Sequence, residues 1–322
     1  MGENYKSMDY SLIVSVCDMA GEVDRLHADA EAALSTLGGM WEIIFVDDAS
    51  TDGTAERLLE ISRKDAHVRV LRMRSRFGEA SALDAGIRHS SGESVAFLSG
   101  RVNVNIRQIP GLFRRLEEGY DYVIGRRHPR RDALLNRWVS GLFNAMINRL
   151  CKLRLRDVNS GVFATRRRVF ERIAVYGDLN HFLAVLAAQQ GYRIGEADIE
   201  QLTGNFRVSR YPNEYIRRFL DIITVFFLTR YSKKPIHFMG FLGTVCFIVG
   251  LGIEVYLFVY RILQMGPIAG RPLLILGALL LVIGIQMISI GLLGEMIIFT
   301  HAGEIQEYNI EMVIERGMEK TS

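Results

Sequence analysis

Carboxylates and hydroxyls crowd one short segment of this chain, FVDDASTDGT from Phe45 to Thr54. An apolar run from Trp41 to Val46 leads into it, so Asp47 and Asp48 fall at the end of a strand. A carboxylate placed there can accept hydrogen bonds from a nucleobase or a ribose hydroxyl. The Ser, Thr, Asp and Gly that follow favour a tight turn and the start of a helix. A second segment, SRFGEASALDAG from Ser75 to Gly86, spaces Gly78, Ala82 and Gly86 four apart.

Phosphate chemistry needs cations, and these are clustered. Arg126, Arg127, Arg130 and Arg131 form one group, Arg166 to Arg168 a second, and Arg217, Arg218, Arg230, Lys233 and Lys234 a third. A formal net charge of +3 is too small to argue for a nucleic-acid partner. Such runs are ordinarily solvated faces, but the third group precedes long apolar stretches, where phosphate or anionic lipid is the better partner. Cys17, Cys151 and Cys246 are widely spaced, which suggests neither a disulfide framework nor a zinc site.

The elements that must position these groups alternate. Strand-like runs at Ser11 to Val16, Trp41 to Val46, Val68 to Met73 and Ser94 to Leu98 are separated by helical spacing over Gly21 to Leu37, Thr54 to Lys64 and Ala80 to His89. Further on, helices are expected over Leu134 to Leu150 and near Arg167 to Val175, with a short strand near Gly195 to Ile199. Repeated βα units imply an α/β, Rossmann-like fold with a mostly parallel sheet, whose ligands sit beyond the carboxyl ends of the strands. Cys17, Asp18, Asp47, Asp48, Ser99 and Arg101 then share one rim.

Ile236 to Tyr260 and Pro272 to Ile298 are each long enough to cross a hydrocarbon layer of roughly 30 Å. Glu254 and Gln286 lie within them, where polar groups face protein or water. The preceding segment, Tyr215 to Arg230, reads as an interfacial amphipathic helix. The basic cluster before the first span and the lack of an apolar core in the first ten residues put the large domain and both termini in the cytosol. The expected division is 1–211 for the α/β domain, 212–234 for the juxtamembrane segment, 235–300 for the two spans and 301–322 for a cytosolic tail.

Phe45 to Thr54 resembles the nucleotide-recognition turn of family 2 glycosyltransferases with the GT-A fold. Ser75 to Gly86 resembles that family's Arg-x-x-Gly-x-x-x-Ala-x-x-x-Gly element, with Ser75 in the Arg place. DVNSGVFATRRRVF (Asp157 to Phe170), GDLNHFLAVLAAQQGYRI (Gly177 to Ile194), Ser209 to Tyr211 and GIQMISIGLLGEM (Gly284 to Met296) are similar to elements of the polyprenyl- and dolichyl-phosphate sugar synthases. The resemblance implies a bacterial inner-membrane enzyme that transfers a sugar from a nucleotide sugar to a polyprenyl phosphate, in contact with membrane lipids, with homo-oligomeric assembly as one option. If the chain is such an enzyme, Ser15, Cys17, Asp18, Asp47, Asp48, Arg76, Gly78 and Ser99 are expected to bind the nucleotide sugar. Asp157 would orient sugar or acceptor, and Arg210 with Ser209 would bind phosphate. Tyr211, Arg217 and Arg218 would serve the acceptor lipid phosphate.

The departures bear on the chemistry. The family's metal-binding Asp-x-Asp falls at Ser99 to Arg101, where neither carboxylate is present. No metal ligand set, and no cofactor, is therefore evident from the sequence, and Arg101 is expected to offer a bidentate guanidinium to the diphosphate instead. Near the first strand, Ser15, Cys17, Asp18 and Met19 replace the family's Pro-x-Tyr-Asn-Glu, and Gln201, Leu202 and Gly204 replace a His/Arg-rich segment. Two readings stand: an active transferase, which we prefer, and a pseudotransferase that binds lipid phosphate or a partner membrane protein.

Overall fold

The computed structural model describes residues 8–100, 102–129, 155–158, 160–173, 182–202, 235–267, 271–301, 312–315 and 318–321, with positions 141, 144, 145 and 148. The chain forms two compact units, Met1–Ile222 and Ile223–Ser322. The first opens with β1 (Met8–Val16), α1 (Val23–Leu34), β2 (Trp41–Asp47), α2 (Thr54–Lys64), β3 (Val68–Arg72), α3 (Glu79–His89) and β4 (Gly92–Ser99). It continues through a 3-10 turn (Ile106–Gln108) into α4 (Ile109–Glu117), β5 (Tyr122–Arg127), β6 (Val162–Arg166), α5 (Arg167–Arg172), α6 (Leu183–Gln189) and β7 (Ile194–Ile199). Seven strands pair in the order β3-β2-β1-β4-β6-β5-β7. Only β6 runs against the others, pairing antiparallel with both β4 and β5, so the sheet is mostly parallel, as the alternating pattern implies.

The strands in the middle of the sheet are buried on both faces. Leu12, Ile13, Val14, Ile43, Ile44, Phe45, Ala96, Phe97 and Leu98 are all at most 1% exposed, which explains why these runs read as continuous apolar segments rather than alternating ones. The small-residue face of α3 has a steric cause. A Cβ at Gly86 would lie 2.4 Å from Ile13 Cγ2, and Ala82 is fully buried, so the helix comes closer to β1 than a larger residue permits.

Among the α-helices and strands of the first unit, three were not foreseen: α4, β5 and β6. Strand β5 reads YVIGRR, with charge in its second half, and β6 follows the Asp157 loop without an apolar run long enough to stand out. Helix α4 hides its amphipathic face behind an early proline. Within the segment Gly177 to Ile194 the structure describes a helix at Leu183–Gln189. Of the helix expected from Leu134 to Leu150, the described positions 141, 144, 145 and 148 are helical.

The second unit contains α7 (Pro235–Ile262) and α8 (Pro272–His301), followed by a two-stranded antiparallel ribbon of β8 (Met312–Glu315) and β9 (Met318–Thr321). Helix α7 has 28 residues and α8 has 30, each over 40 Å at about 1.5 Å per residue, so both are long and apolar enough to cross a membrane. Phe241, Ile248, Phe258, Ile275 and Met296 are each more than 60% exposed on their outer faces, as lipid-facing side chains are.

Between the two helices the contact is made by glycines seven apart. Gly243 and Gly250 of α7 face Gly284 and Gly277 of α8, where an added Cβ would lie 2.7 and 2.8 Å from the facing carbonyl oxygens, and Gly291 faces Ile236. Lipid tails are as apolar as leucine, so such helices associate through close backbone packing rather than water exclusion. Glu254 points its Oε1 at Gly277, where a Cβ would lie 2.6 Å away, while Gln286 is exposed on α8 rather than turned toward α7. At the connecting loop the Tyr260 hydroxyl donates to the Met265 carbonyl at 2.8 Å, and the Arg271 guanidinium sits 4.3 Å over the Tyr260 ring. Gly284→Leu should separate the helices and destabilise the hairpin by about 1–3 kcal/mol, the usual cost of overpacking. Detergent-denaturant unfolding of the purified protein measures this, and an unchanged midpoint would refute the packing argument.

Candidate functional site

The chain runs from β1 outward to β2 and β3, then returns to the other side of β1 as β4. This reversal leaves a crevice at the carboxyl ends of β1 and β4, where open α/β sheets bind ligands. A cleft of about 440 Å³ occupies that place. Ser15, Cys17 and Asp18 from β1 and the turn after it line the cleft together with Asp48 and Ser99, so the structure brings five of the sequence-derived nucleotide-sugar residues to one wall. Glu22, Arg25 and Asp29 of α1, Glu79 of α3, Asn103 and Leu202 complete it.

Asp48 is 9% exposed and uses both carboxylate oxygens on the turn into α3. Oδ1 accepts from the Phe77 N–H at 2.7 Å and Oδ2 from the Gly78 N–H at 3.0 Å. Gly78 has φ +90°, a left-handed backbone that a side chain would strain. Asp48 thus fixes the start of α3. Asp47 does not face the cleft. It is fully buried, its Oδ1 accepts from the Ser50 N–H and hydroxyl, and Arg72 stands 3.8 Å from Oδ2, which corrects its expected contact with nucleotide to support of the turn.

That turn also holds the loop after β1. Ser50 Oγ accepts from the Asp18 N–H at 2.9 Å, Thr54 Oγ1 from the Met19 N–H at 2.8 Å, and Asp52 Oδ2 from the Ala20 N–H at 3.0 Å. In return Asp18 Oδ1 accepts from the Thr51 N–H at 2.9 Å, while Arg76 donates to Oδ2. The Thr51 N–H, and then the Arg76 guanidinium, hold the Asp18 carboxyl below the usual carboxylate range, so it is ionised at neutral pH. The Cys17 thiol contacts the Asp48 carbonyl at 3.7 Å. The run of hydroxyls and carboxylates from Ser50 to Thr54 is therefore consumed largely in building the rim.

At the end of β4 the geometry is tight. Ser99, 1% exposed, donates its N–H to the Gly161 carbonyl at 2.9 Å and its hydroxyl to Glu79 Oε2 at 2.9 Å. Gly161 has φ +73°, and a Cβ there would meet Val102 Cγ2 at 2.8 Å, so the Asp157-to-Gly161 loop reaches the strand end only with glycine. Asp157 itself is 1% exposed, and its carboxylate is gripped by Arg127, Nε to Oδ2 at 2.8 Å and Nη2 to Oδ1 at 3.0 Å. The expectation that Asp157 orients a sugar directly is corrected to an anchoring role, because both oxygens serve a buried bidentate ion pair.

Arg101, Ser209, Arg210, Tyr211, Arg217 and Arg218 lie outside the described residues. Glu79 was missed in the sequence, although its place beside Gly78 at a helix start was a usable signal. His27, Glu31 and Asp65 bring ligand atoms within 4.8 Å of one another, but at the opposite end of the sheet, before β3. There the His27–Asp65 contact of 2.8 Å already pairs the carboxylate.

The glycosyl transferase family 2 model matches residues 11–174. The dodecaprenyl-phosphate galacturonate synthase of Rhizobium johnstonii is 30% identical over 302 residues, covering 92% of this chain and 89% of that protein. The undecaprenyl-phosphate 4-deoxy-4-formamido-L-arabinose transferase of Salmonella paratyphi A is 28% identical over 311 residues, covering 94% and 93%. Among solved structures, glucosyl-3-phosphoglycerate synthase of Mycobacterium tuberculosis, in complex with Mn2+, UDP and glucosyl-3-phosphoglycerate, superposes with a TM-score of 0.51 at 16% identity, over 69% of this chain and 80% of that one. This last likeness shows the fold, which is GT-A.

Asp48→Asn keeps one acceptor but turns an NH2 toward one of two backbone N–H groups. It should weaken binding of nucleoside diphosphates about 10- to 100-fold, the cost of an unsatisfied buried donor being about 1–3 kcal/mol. Calorimetric titration checks this. Unchanged affinity in a folded variant would remove the Phe77–Gly78 turn from the binding site.

Proposed function

Since the chain belongs to glycosyl transferase family 2, we propose that it is a membrane glycosyltransferase moving a sugar from a nucleotide-sugar donor to a polyprenyl phosphate. One observation carries this reading: a switch-point cleft walled by Asp18 and Asp48 occurs on a chain that also has two helices of membrane-crossing length. The similarity to the Rhizobium and Salmonella proteins extends over both parts. The pseudotransferase alternative gains no support from relatives named as synthase and transferase.

In the proposed reaction an oxygen of the lipid phosphate attacks the anomeric carbon. The new carbon–oxygen bond forms as the bond from that carbon to the donor's β-phosphate oxygen breaks, and the electron pair leaves with the nucleoside diphosphate. A phosphate oxyanion is already nucleophilic at neutral pH, so a strong general base is not required. The demand is electrostatic, since charge accumulates on the leaving diphosphate. Solved GT-A neighbours carry Mn2+ or Mg2+ with UDP, and a divalent cation bound here would neutralise that charge. The carboxylate and hydroxyl oxygens of this cleft are of the right chemistry for such an ion, so the absence of a cofactor expected from positions 99–101 is not part of this proposal. Asp18 and Asp48 set the nucleoside wall, and Asp157 fixes Arg127. Arg101, Arg210, Ser209, Tyr211, Arg217 and Arg218 are assigned to phosphate binding from the sequence alone.

Purified protein, undecaprenyl phosphate and a panel of labelled nucleotide sugars, including hexuronates and pentoses, test the reaction. We expect label to enter the lipid phase with stoichiometric release of nucleoside diphosphate from one donor. Binding of lipid phosphate with no transfer from any donor would return the protein to the pseudotransferase class.

The division at 1–211, 212–234, 235–300 and 301–322 and the bacterial inner membrane belong to the same proposal, with both termini in the cytosol. A cysteine placed at Gly266, between the helices, should react with an impermeant maleimide from the far side of the membrane. Labelling from the cytosolic side alone would reverse the arrangement.

A further inference from the structure

We infer that Glu79 is this chain's own carboxylate ligand for a divalent cation at the donor diphosphate, delivered to the end of β4 from the start of α3. The inference rests on the transferase reading above. Glu79 lines the cleft, is half-buried, and makes one hydrogen bond among the described residues, from the Ser99 hydroxyl to Oε2 at 2.9 Å. No described residue bonds its Oε1.

The other acidic groups of the cleft are placed differently. Both oxygens of Asp48 accept backbone N–H groups, and Asp18 is held by Thr51 and Arg76. Asp29 is paired with Arg107 at 3.0 Å, and Glu22 is exposed on α1. Among the described acidic residues of the cleft, only Glu79 combines partial burial, an open oxygen and a position at the carboxyl end of β4.

A magnesium-like ion needs little more from the protein, because it is commonly held by one or two carboxylates with substrate phosphates and waters completing its shell. Ser99 stands at the strand end with no carboxylate of its own, yet its hydroxyl lies within hydrogen-bond reach of one. The negative charge that the strand lacks in sequence is thus supplied in space by a residue twenty positions earlier. The bland alternative is that Glu79 only caps α3 and steadies Ser99, and it predicts a different outcome.

The test uses full-length protein in detergent with Mn2+ and whichever of UDP, GDP, CDP or dTDP the wild type binds best, reading free Mn2+ by its electron paramagnetic resonance signal. Wild-type protein should take up Mn2+ in the presence of that nucleotide. Glu79→Gln, isosteric and still able to accept from Ser99, should weaken Mn2+ uptake about tenfold or more, as loss of a charged ligand does. Moving the charge across the contact, in Ser99→Asp combined with Glu79→Ala, should restore uptake to within about threefold of wild type. A residue that merely braced the helix would not be rescued in this way. Nucleotide binding with Mn2+ uptake unchanged in folded Glu79→Gln, or no rescue in the folded double variant, overturns the inference while leaving the transferase reading intact. If wild-type protein binds no nucleoside diphosphate with or without Mn2+, the transferase reading falls first.

Discussion

The two hydrogen bonds from Phe77 and Gly78 to Asp48 are the constraint on which the cleft depends. They join the end of β2 to the start of α3 across the rim, and the position of every side chain on the first turn of α3 follows from them. Without that anchor the Gly78 backbone, in a left-handed conformation, would have many alternatives, since glycine is the residue with most conformational freedom to lose. A buried carboxylate whose two oxygens each take a backbone N–H is also worth more than a neutral contact, because charge-assisted hydrogen bonds are the stronger kind. The anchor therefore sets the direction of α3, and the small face at Ala82 and Gly86 sets its distance from β1.

The opposite wall depends on a different device. There the backbone itself comes close: Gly161 against Ser99, and Gly100 against the Ser15 carbonyl, 2.3 Å from where a Cβ would be. Behind it lies the buried Arg127–Asp157 pair, with Asn144 and Asn148 bonded to the backbone at 155–158. Removing one partner of such a pair leaves a buried charge uncompensated, which costs about 3–5 kcal/mol. The Asp157 loop is a brace for the strand end, and its acidic residue acts on the cleft through position rather than contact.

Much of this was legible in the residues. The buried strands Ser11 to Val16, Trp41 to Val46 and Ser94 to Leu98 announced themselves as apolar runs because the centre of a parallel sheet has no wet face. The rim of Asp18, Asp48 and Ser99 followed from where those runs end. Asp47 and Asp48 could not be told apart from their order alone, since one faces the cleft and its neighbour the interior by the two-residue period of a strand. Asp157 looked like a group offered to substrate because its partner, Arg127, is thirty residues away and nothing local points to it. The short β5 and β6 strands were hidden for the same reason: β6 is held between β4 and β5 by long-range pairing, which no local pattern records.

A strand end that has lost its carboxylates looks, in sequence, like a strand end that has lost its chemistry. Here a carboxylate from another element stands beside that strand end. What a bound diphosphate meets is a distribution of charge in space, and a helix start beside a strand end is an equally good place from which to supply it. The first turn of a helix carries the positive end of its dipole, so an ionised glutamate there is favoured by about 0.3–1 kcal/mol, whereas a strand offers no such compensation. Glu79 occupies that first turn, which the Asp48 anchor ties to the end of β2 while the Ser99 hydroxyl meets it from the end of β4. The same two backbone hydrogen bonds that shape this wall of the cleft therefore also decide where the next negative charge can stand.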